Sequence, residues 1–208
     1  MSTLKPARIE AIIGASGSGK SAYVKLMALK RRPSRLMVWD FKREYADFGT
    51  VVGDLSQAVE LTEGRRFSVV MHPSVNDEIR AWQFNLFCRL AYARGDLCMV
   101  VEELAFVTRP SWAPDAWRMM TCTGRHGGVH IIGTSQRPAQ VDKDFLGNAT
   151  LIRCGRLGHR ADVKVMADLL FCDQRALIGL GDLEFIQRRA GEKNNSAGRL
   201  KLPGNGNA

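Results

Sequence analysis

The sequence has no Cys-x-x-Cys pair, and its five cysteines, Cys88, Cys98, Cys122, Cys154 and Cys172, are odd in number and widely spaced. That pattern excludes a disulfide framework and the common zinc modules, and predicts reduced core thiols in a cytosolic protein. Long apolar runs are missing too: none approaches the roughly 18 residues that a membrane-crossing helix needs. No basic-then-apolar leader precedes the first apolar segment, so the chain is not expected to cross a membrane by itself. Acids are in deficit, with 21 Asp and Glu against 30 Lys and Arg, for a net charge of +9. A deficit of this size favours a polyanionic partner, nucleic acid first and an anionic membrane surface second. There is no internal repeat.

What is present is a chain of 208 residues, 45% of them apolar, enough to bury one sizeable core. Apolar runs of five or six residues alternate with longer amphipathic stretches, the pattern of βαβ units around a mostly parallel sheet. Strands are expected at Arg8–Ile13, Leu36–Trp39, "RFSVVMH", "LCMVVEEL", His130–Thr134, Thr150–Cys154 and Leu183–Gln187. Helices are expected at Lys20–Lys30, Asp54–Glu63 and Ala161–Leu170, with a short one after Pro114. The longest should run from a cap at Asn76 to a stop at Gly95, with Ile79, Trp82, Leu86 and Leu90 as its apolar stripe. On this reading residues 1–190 form one domain. From Gly191 the composition turns to Gly, Asn, Lys and Ser, which predicts a flexible tail over 191–208.

One motif carries chemistry outright. "GASGSGKS", comprising Gly14, Ala15, Ser16, Gly17, Ser18, Gly19, Lys20 and Ser21, fits G-x-x-x-x-G-K-[ST] between a strand and a helix start. Small residues let backbone N–H groups converge on phosphate oxygens, and the helix N-terminus adds donors and a favourable dipole. Lys20 is expected on the β and γ phosphates of ATP and Ser21 on Mg²⁺. "LCMVVEE" then places two carboxylates at the end of a buried strand. Glu102 and Glu103, read as adjacent strand residues on opposite faces, can serve the metal shell and the attacking water respectively.

"GRHGGVHIIGTSQRP" brackets a core strand with polar groups. If that strand lies between the P-loop strand and the acidic strand, the Gln136 amide reaches the γ phosphate or the lytic water and reports hydrolysis. Arg125 precedes the strand, at its far end, and is better placed to complete a neighbouring subunit's site. His126 and His130 lack a third ligand and are not read as a zinc site. "KRRPSR", Lys30 to Arg35, and Arg109 are candidate DNA contacts, while Trp82 and Trp117 are read as core.

In this order "GASGSGKS", "VWDFKREY", "LCMVVEEL" and "GRHGGVHIIGTSQRP" resemble the FtsK/HerA superfamily of ring-forming DNA-pumping ATPases, over about Arg8 to Gln187. The resemblance implies a RecA-like (ASCE) P-loop NTPase, a three-layer αβα fold with a mostly parallel central sheet. It implies Lys20 and Ser21 for phosphate and Mg²⁺, Glu102 for the metal shell, Glu103 as catalytic carboxylate, Gln136 as sensor and Arg125 as a finger acting in trans. The family usually has Asp where Glu102 stands, which leaves the division of labour between the two glutamates open. Lacking membrane segments and accessory domains, the chain is most similar to the packaging ATPases of viruses with an internal membrane. This implies a double-stranded DNA substrate, a homo-oligomeric ring such as a hexamer, capsid or vertex membrane proteins as docking partners, and a place in the host cytoplasm or at the virion vertex. Two alternatives stand beside it. One is an assembly ATPase of the zonular-occludens-toxin-like kind, coupled to protein partners. The other is a nucleoside or nucleotide kinase, which has little use for Glu103 and Gln136 beside water and γ phosphate.

Overall fold

The computed structural model describes residues 8–122 and 128–202. Nine strands make one sheet: β1 (Arg8–Ile13), β2 (Arg35–Trp39), β3 (Thr50–Val52), β4 (Phe67–Met71), β5 (Cys98–Val101), β6 (His130–Ser135), β7 (Leu151–Gly155), β8 (Glu184–Arg189) and β9 (Ser196–Arg199). Their order is β3-β4-β2-β5-β6-β1-β7-β8-β9. Pairing is parallel from β3 through β7, and β8 and β9 close the sheet antiparallel. The continuous apolar runs explain the parallel part, since β5 is buried at every position and β1 at all but Arg8; a strand covered on both faces has no polar side to show.

The two faces are covered unequally. Helices α2 (Leu55–Leu61), α3 (Asp77–Arg94), α4 (Asp115–Cys122), α5 (Lys143–Gly147), α6 (Arg160–Leu170) and α7 (Gln174–Ile178) contribute to one large core with Ile9, Met37, Trp39, Met99 and Ile131. The opposite face packs on α1 (Lys20–Tyr23) and its π-helical continuation Val24–Leu29, through Ile12, Val38, Val100 and Ile132. Beside that thin cover lies a cavity of about 810 Å³ lined by Leu29, Leu36 and Phe48 under Lys25, Lys30 and Arg32.

Helix α3 starts and stops where expected: the Asn76 side chain accepts from Glu78 and Ile79 N–H, and Gly95 ends it. Its inward face, however, differs from the expected stripe. Phe84 and Phe87 are buried against Trp39, with ring centroids 5.1 and 5.5 Å away, whereas Ile79 and Trp82 are 49% and 61% exposed. The aromatic pair demands the large space beneath Trp39, and the helix rotates to supply it. Trp82 is therefore no core residue, while Trp117 is fully buried, against Phe84 and Phe145.

Four elements escape sequence reading. Strand β3 and helices α5 and α7 are only three to five residues long. The fourth corrects the reading of the tail: Ser196–Arg199 pairs antiparallel with β8 as β9. β8 would otherwise be an edge with unpaired N–H and C=O groups, and an exposed edge strand needs no apolar residues of its own. Gly198 fits because a Cβ there would stand 3.0 Å from the Phe185 ring. The Leu200 N–H then donates to Leu183 O at 2.8 Å, and Leu200 packs on the smaller core. All five cysteines are unpaired, but Cys122 is exposed and Cys172 half-buried, so three of them are core thiols.

Candidate functional site

The loop after β1 takes its shape from three glycines in conformations that side chains disfavour: Gly14 (φ 156°), Gly17 (φ 75°) and Gly19 (φ 91°). A Cβ on Gly14 would lie 2.4 Å from Ser18 Oγ, so the turn closes only without one. Neighbouring strand ends hold it: Gly14 N–H donates to Ser135 O (3.1 Å), Ala15 N–H to Arg156 O (2.7 Å), and the Arg156 guanidinium reaches Ser16 O (3.2 Å). On the other side Leu183 and Leu200 close on Gly19, so β9 and the turn before β8 brace the loop. Gly19 then caps α1, which Lys20 and Ser21 begin.

Lys20 is buried, and its ammonium folds back to donate to the carbonyls of Gly14 (2.7 Å) and Ala15 (2.9 Å). Burial first, and the Lys42 charge next, bring it down to about 8. A cation so poorly solvated gains when an anion comes within reach.

β5 ends at Val101, so Glu102 and Glu103 lie just beyond it, and strand alternation does not set their directions. A turn does. Glu103 adopts φ 56°, ψ 63°, left-handed for a side-chain-bearing residue, before the short 3₁₀ turn Leu104–Phe106. Its N–H donates to Thr134 Oγ1 (3.3 Å), Ser135 Oγ and the Gln136 N–H donate to its Oε1 (3.1 and 2.9 Å), and Lys42 Nζ to its Oε2 (2.9 Å). Glu102 accepts the Lys42 N–H on Oε2 at 2.7 Å, and burial pushes its carboxyl up to about 7. Buried Tyr45 feels the Glu102 charge, and burial raises its hydroxyl well above the usual range.

β6 does lie between β5 and β1, as the sensor reading of Gln136 requires. The connection to Glu103 runs through the Gln136 backbone N–H. Arg137, next along, is tied to buried Asp162 (2.9 Å). Thus Lys20, Glu102, Glu103 and Gln136 share one end of the sheet. Arg125 and His126 lie outside the described residues. His130 pairs with Glu10 (2.9 Å), and among the described residues no cluster of three metal-ligating side chains occurs. Sequence reasoning assigned no role to Lys42, Thr134, Ser135 or Arg156. Lys42 stood within the quoted "VWDFKREY", but only the β2–β5 pairing brings it to the glutamates.

Oxygen donors alone, the Ser21 hydroxyl and the buried Glu102 carboxylate, suit a hard cation such as Mg²⁺.

Protein P9 of Pseudoalteromonas phage PM2 is 28% identical over 170 residues, which is 80% of this chain and 76% of that protein. No family model matches. The genome packaging NTPase B204 from Sulfolobus turreted icosahedral virus 2, solved in complex with AMPPCP, superposes with a TM-score of 0.78 at 18% identity, covering 95% of this chain and all of that one. The N-terminal domain of zonular occludens toxin from Neisseria meningitidis superposes with a TM-score of 0.55 at 14% identity, covering 96% of each chain. The chain has the P-loop NTPase fold of these proteins, an α/β architecture on a mostly parallel sheet.

Proposed function

We propose that the chain is an ATP hydrolase that drives double-stranded DNA, the work of a viral genome-packaging motor operating as a ring. The observation that carries this reading is the Glu103 carboxylate, held by the end of the very strand that separates it from the phosphate loop. A nucleotide-binding site needs no such link, whereas a motor must pass the state of its nucleotide to the rest of the subunit.

In this reading the β and γ phosphates rest on the N–H groups of Ser16, Gly17 and Gly19 and on the start of α1, and Lys20 leaves the Gly14 and Ala15 carbonyls for them. Ser21 and Glu102 are the residues that would hold Mg²⁺, which when bound offsets phosphate charge. Glu103 takes a proton from water as the water oxygen bonds to the γ phosphorus and the bond to the ADP oxygen breaks, leaving ADP and phosphate. Loss of the γ phosphate alters the surroundings of Glu103 and Gln136, and β6 carries the change toward its other end, beyond which Arg125 stands in sequence. Arg125 is assigned to the neighbouring subunit's site, where an arginine contributes roughly 10³ to 10⁵ in rate. The charge of +9 supports a polyanionic substrate. Superposition is closer on the packaging NTPase than on the zonular-occludens-toxin domain, which favours DNA over a protein-coupled assembly role.

Steady-state ATP hydrolysis with and without double-stranded DNA, over a salt series, tests the reading. Stimulation that fades as salt rises is expected, because phosphate contacts release counterions. Hydrolysis indifferent to DNA at every salt concentration would move the function to the protein-coupled class, and phosphate transfer to a nucleoside would make the chain a kinase.

A further inference from the structure

We propose that the outer side of α3 in one copy of the chain docks into the basic cavity beside α1 of the next copy, so that two surfaces left open in the single subunit close on each other. The inference deepens the ring reading of the chain and rests on it, naming the two surfaces that meet.

The first surface is convex. Ile79 and Trp82 lie one turn apart on the side of α3 that faces away from Phe84 and Phe87, and Val75, just before the cap, is 84% exposed. Large apolar side chains gathered in this way mark a contact surface. Trp112, half-exposed, extends it, since it lines a small depression together with Trp82. The exposed charges in the first two turns are of one sign. Asp77 and Glu78 face solvent, while the cation of the same turns, Arg80, is buried and held by Val75 O and Asp77.

The second surface is concave and of opposite charge. The cavity of about 810 Å³ has an apolar floor of Leu26, Leu29, Leu36 and Phe48, with Lys25, Lys30 and Arg32 around it and Asp47 as the one acid in its lining. No acid occurs in the sequence between Glu10 and Asp40, so nothing on α1, its continuation or the approach to β2 offsets these cations. Duplex DNA is convex and can meet the rim but not the floor. A helix that presents a tryptophan and an isoleucine beside acids satisfies both.

The two surfaces lie on opposite faces of the sheet, α3 in the core with Met37 and Trp39, the cavity beside Leu36 and Phe48 of the smaller core. Contact between unlike surfaces is head-to-tail and closes into a ring where the rotation allows. They also lie at opposite ends of the strands. The cavity is at the starts of β2 and β4, through Leu36 and Ser68, whereas the segment from Val75 to Trp82 follows the end of β4. Docking therefore brings the strand-start end of one copy against the strand-finish end of the next. The phosphate loop follows the end of β1 and Arg125 precedes the start of β6, so the same approach suits an arginine acting on a neighbour's nucleotide. One wall of the cavity is the continuation of the helix that Lys20 and Ser21 begin, which joins the subunit contact to the nucleotide site.

The test is sedimentation velocity of the full chain with a non-hydrolysable ATP analogue. Wild type is expected to assemble. Trp82→Ser, Glu78→Lys, and Lys30→Glu together with Arg32→Glu should each raise the concentration needed for assembly several-fold. Glu78→Lys combined with the two cavity reversals should recover part of the loss, which a misfolded variant would not do. Cross-linking gives a second measurement, free of charge changes. With Cys122→Ser and Cys172→Ser as background, Trp82→Cys chains mixed with Leu26→Cys chains should be joined by a short bis-maleimide, and neither chain should be joined to itself. Self-linking of either chain as readily as the mixture would make the contact isologous and overturn the proposal. So would cavity reversals that leave assembly intact while lowering affinity for duplex DNA, since that face would then belong to DNA. If wild type stays monomeric with nucleotide and DNA present, the ring reading falls and the interface with it. If wild type assembles, all variants assemble alike and no mixed cross-link forms, only the interface falls.

Discussion

At the scale of single residues, Lys20 makes the sharpest case, because burial has taken it far from its ordinary state. Its folded value of about 8 lies below the 10.5 usual for a lysine. Between about pH 8 and 10.5 the unfolded chain therefore holds more protons, and Lys20 makes stability rise with pH across that window. Phosphate at the loop restores the charged form, so nucleotide binding near pH 8 should take up a proton, about half of one per site at the midpoint. Calorimetry in buffers of different ionisation enthalpy checks this: apparent binding enthalpy should vary with the buffer in wild type and much less in Lys20→Met, to the extent that this variant still binds. The phosphate loop was legible in the sequence because its chemistry is local: eight consecutive residues specify turn, donors and cation. Lys42 was not, because it lies 60 positions from Glu102, and only the pairing of β2 with β5 joins them. The left-handed turn at Glu103 was equally hidden, as glutamate gives no sign of a positive φ.

At the scale of elements, β6 is the strand on which the account depends. Gly133, at its centre, faces the turn that carries Glu103: a Cβ there would stand 2.5 Å from Leu104 Cδ1 and 2.5 Å from Phe145 Cζ. Gly133→Ala should therefore cost about 1–3 kcal/mol, the usual range for an overpacked core. It should also lower kcat more than nucleotide affinity, since Leu104 adjoins Glu103 while the phosphate loop is untouched; urea unfolding and equilibrium nucleotide binding separate the two effects. Strands such as β1, β5 and β6 were readable because burial on both faces leaves an unbroken apolar run. β9 was not, since an edge strand is held by ladder hydrogen bonds that any composition can make. The inward face of α3 was misjudged for a related reason. Ile79 and Trp82 look like core at helical spacing, but the space beneath Trp39 selects Phe84 and Phe87.

For the whole molecule, the uneven layering and the charge say most about what the protein works on. One face of the sheet carries six helices, the other little more than α1 and its π-helical continuation, bordered by Lys25, Lys30 and Arg32 around the large cavity. With a net charge of +9, DNA affinity should fall steeply and log-linearly with salt. Charge reversal of Lys30 and Arg32 should reduce that slope if this face meets DNA, which titration of fluorescent duplex against the variant would register. The central claim is that ATP turnover at Glu103 moves double-stranded DNA. Its most direct test is displacement of a triplex-forming strand from a duplex by the assembled protein. The account predicts displacement that requires ATP and is lost in Glu103→Gln with nucleotide binding intact. Displacement unaffected by Glu103→Gln, or none by a wild-type protein that hydrolyses ATP on DNA, would contradict it.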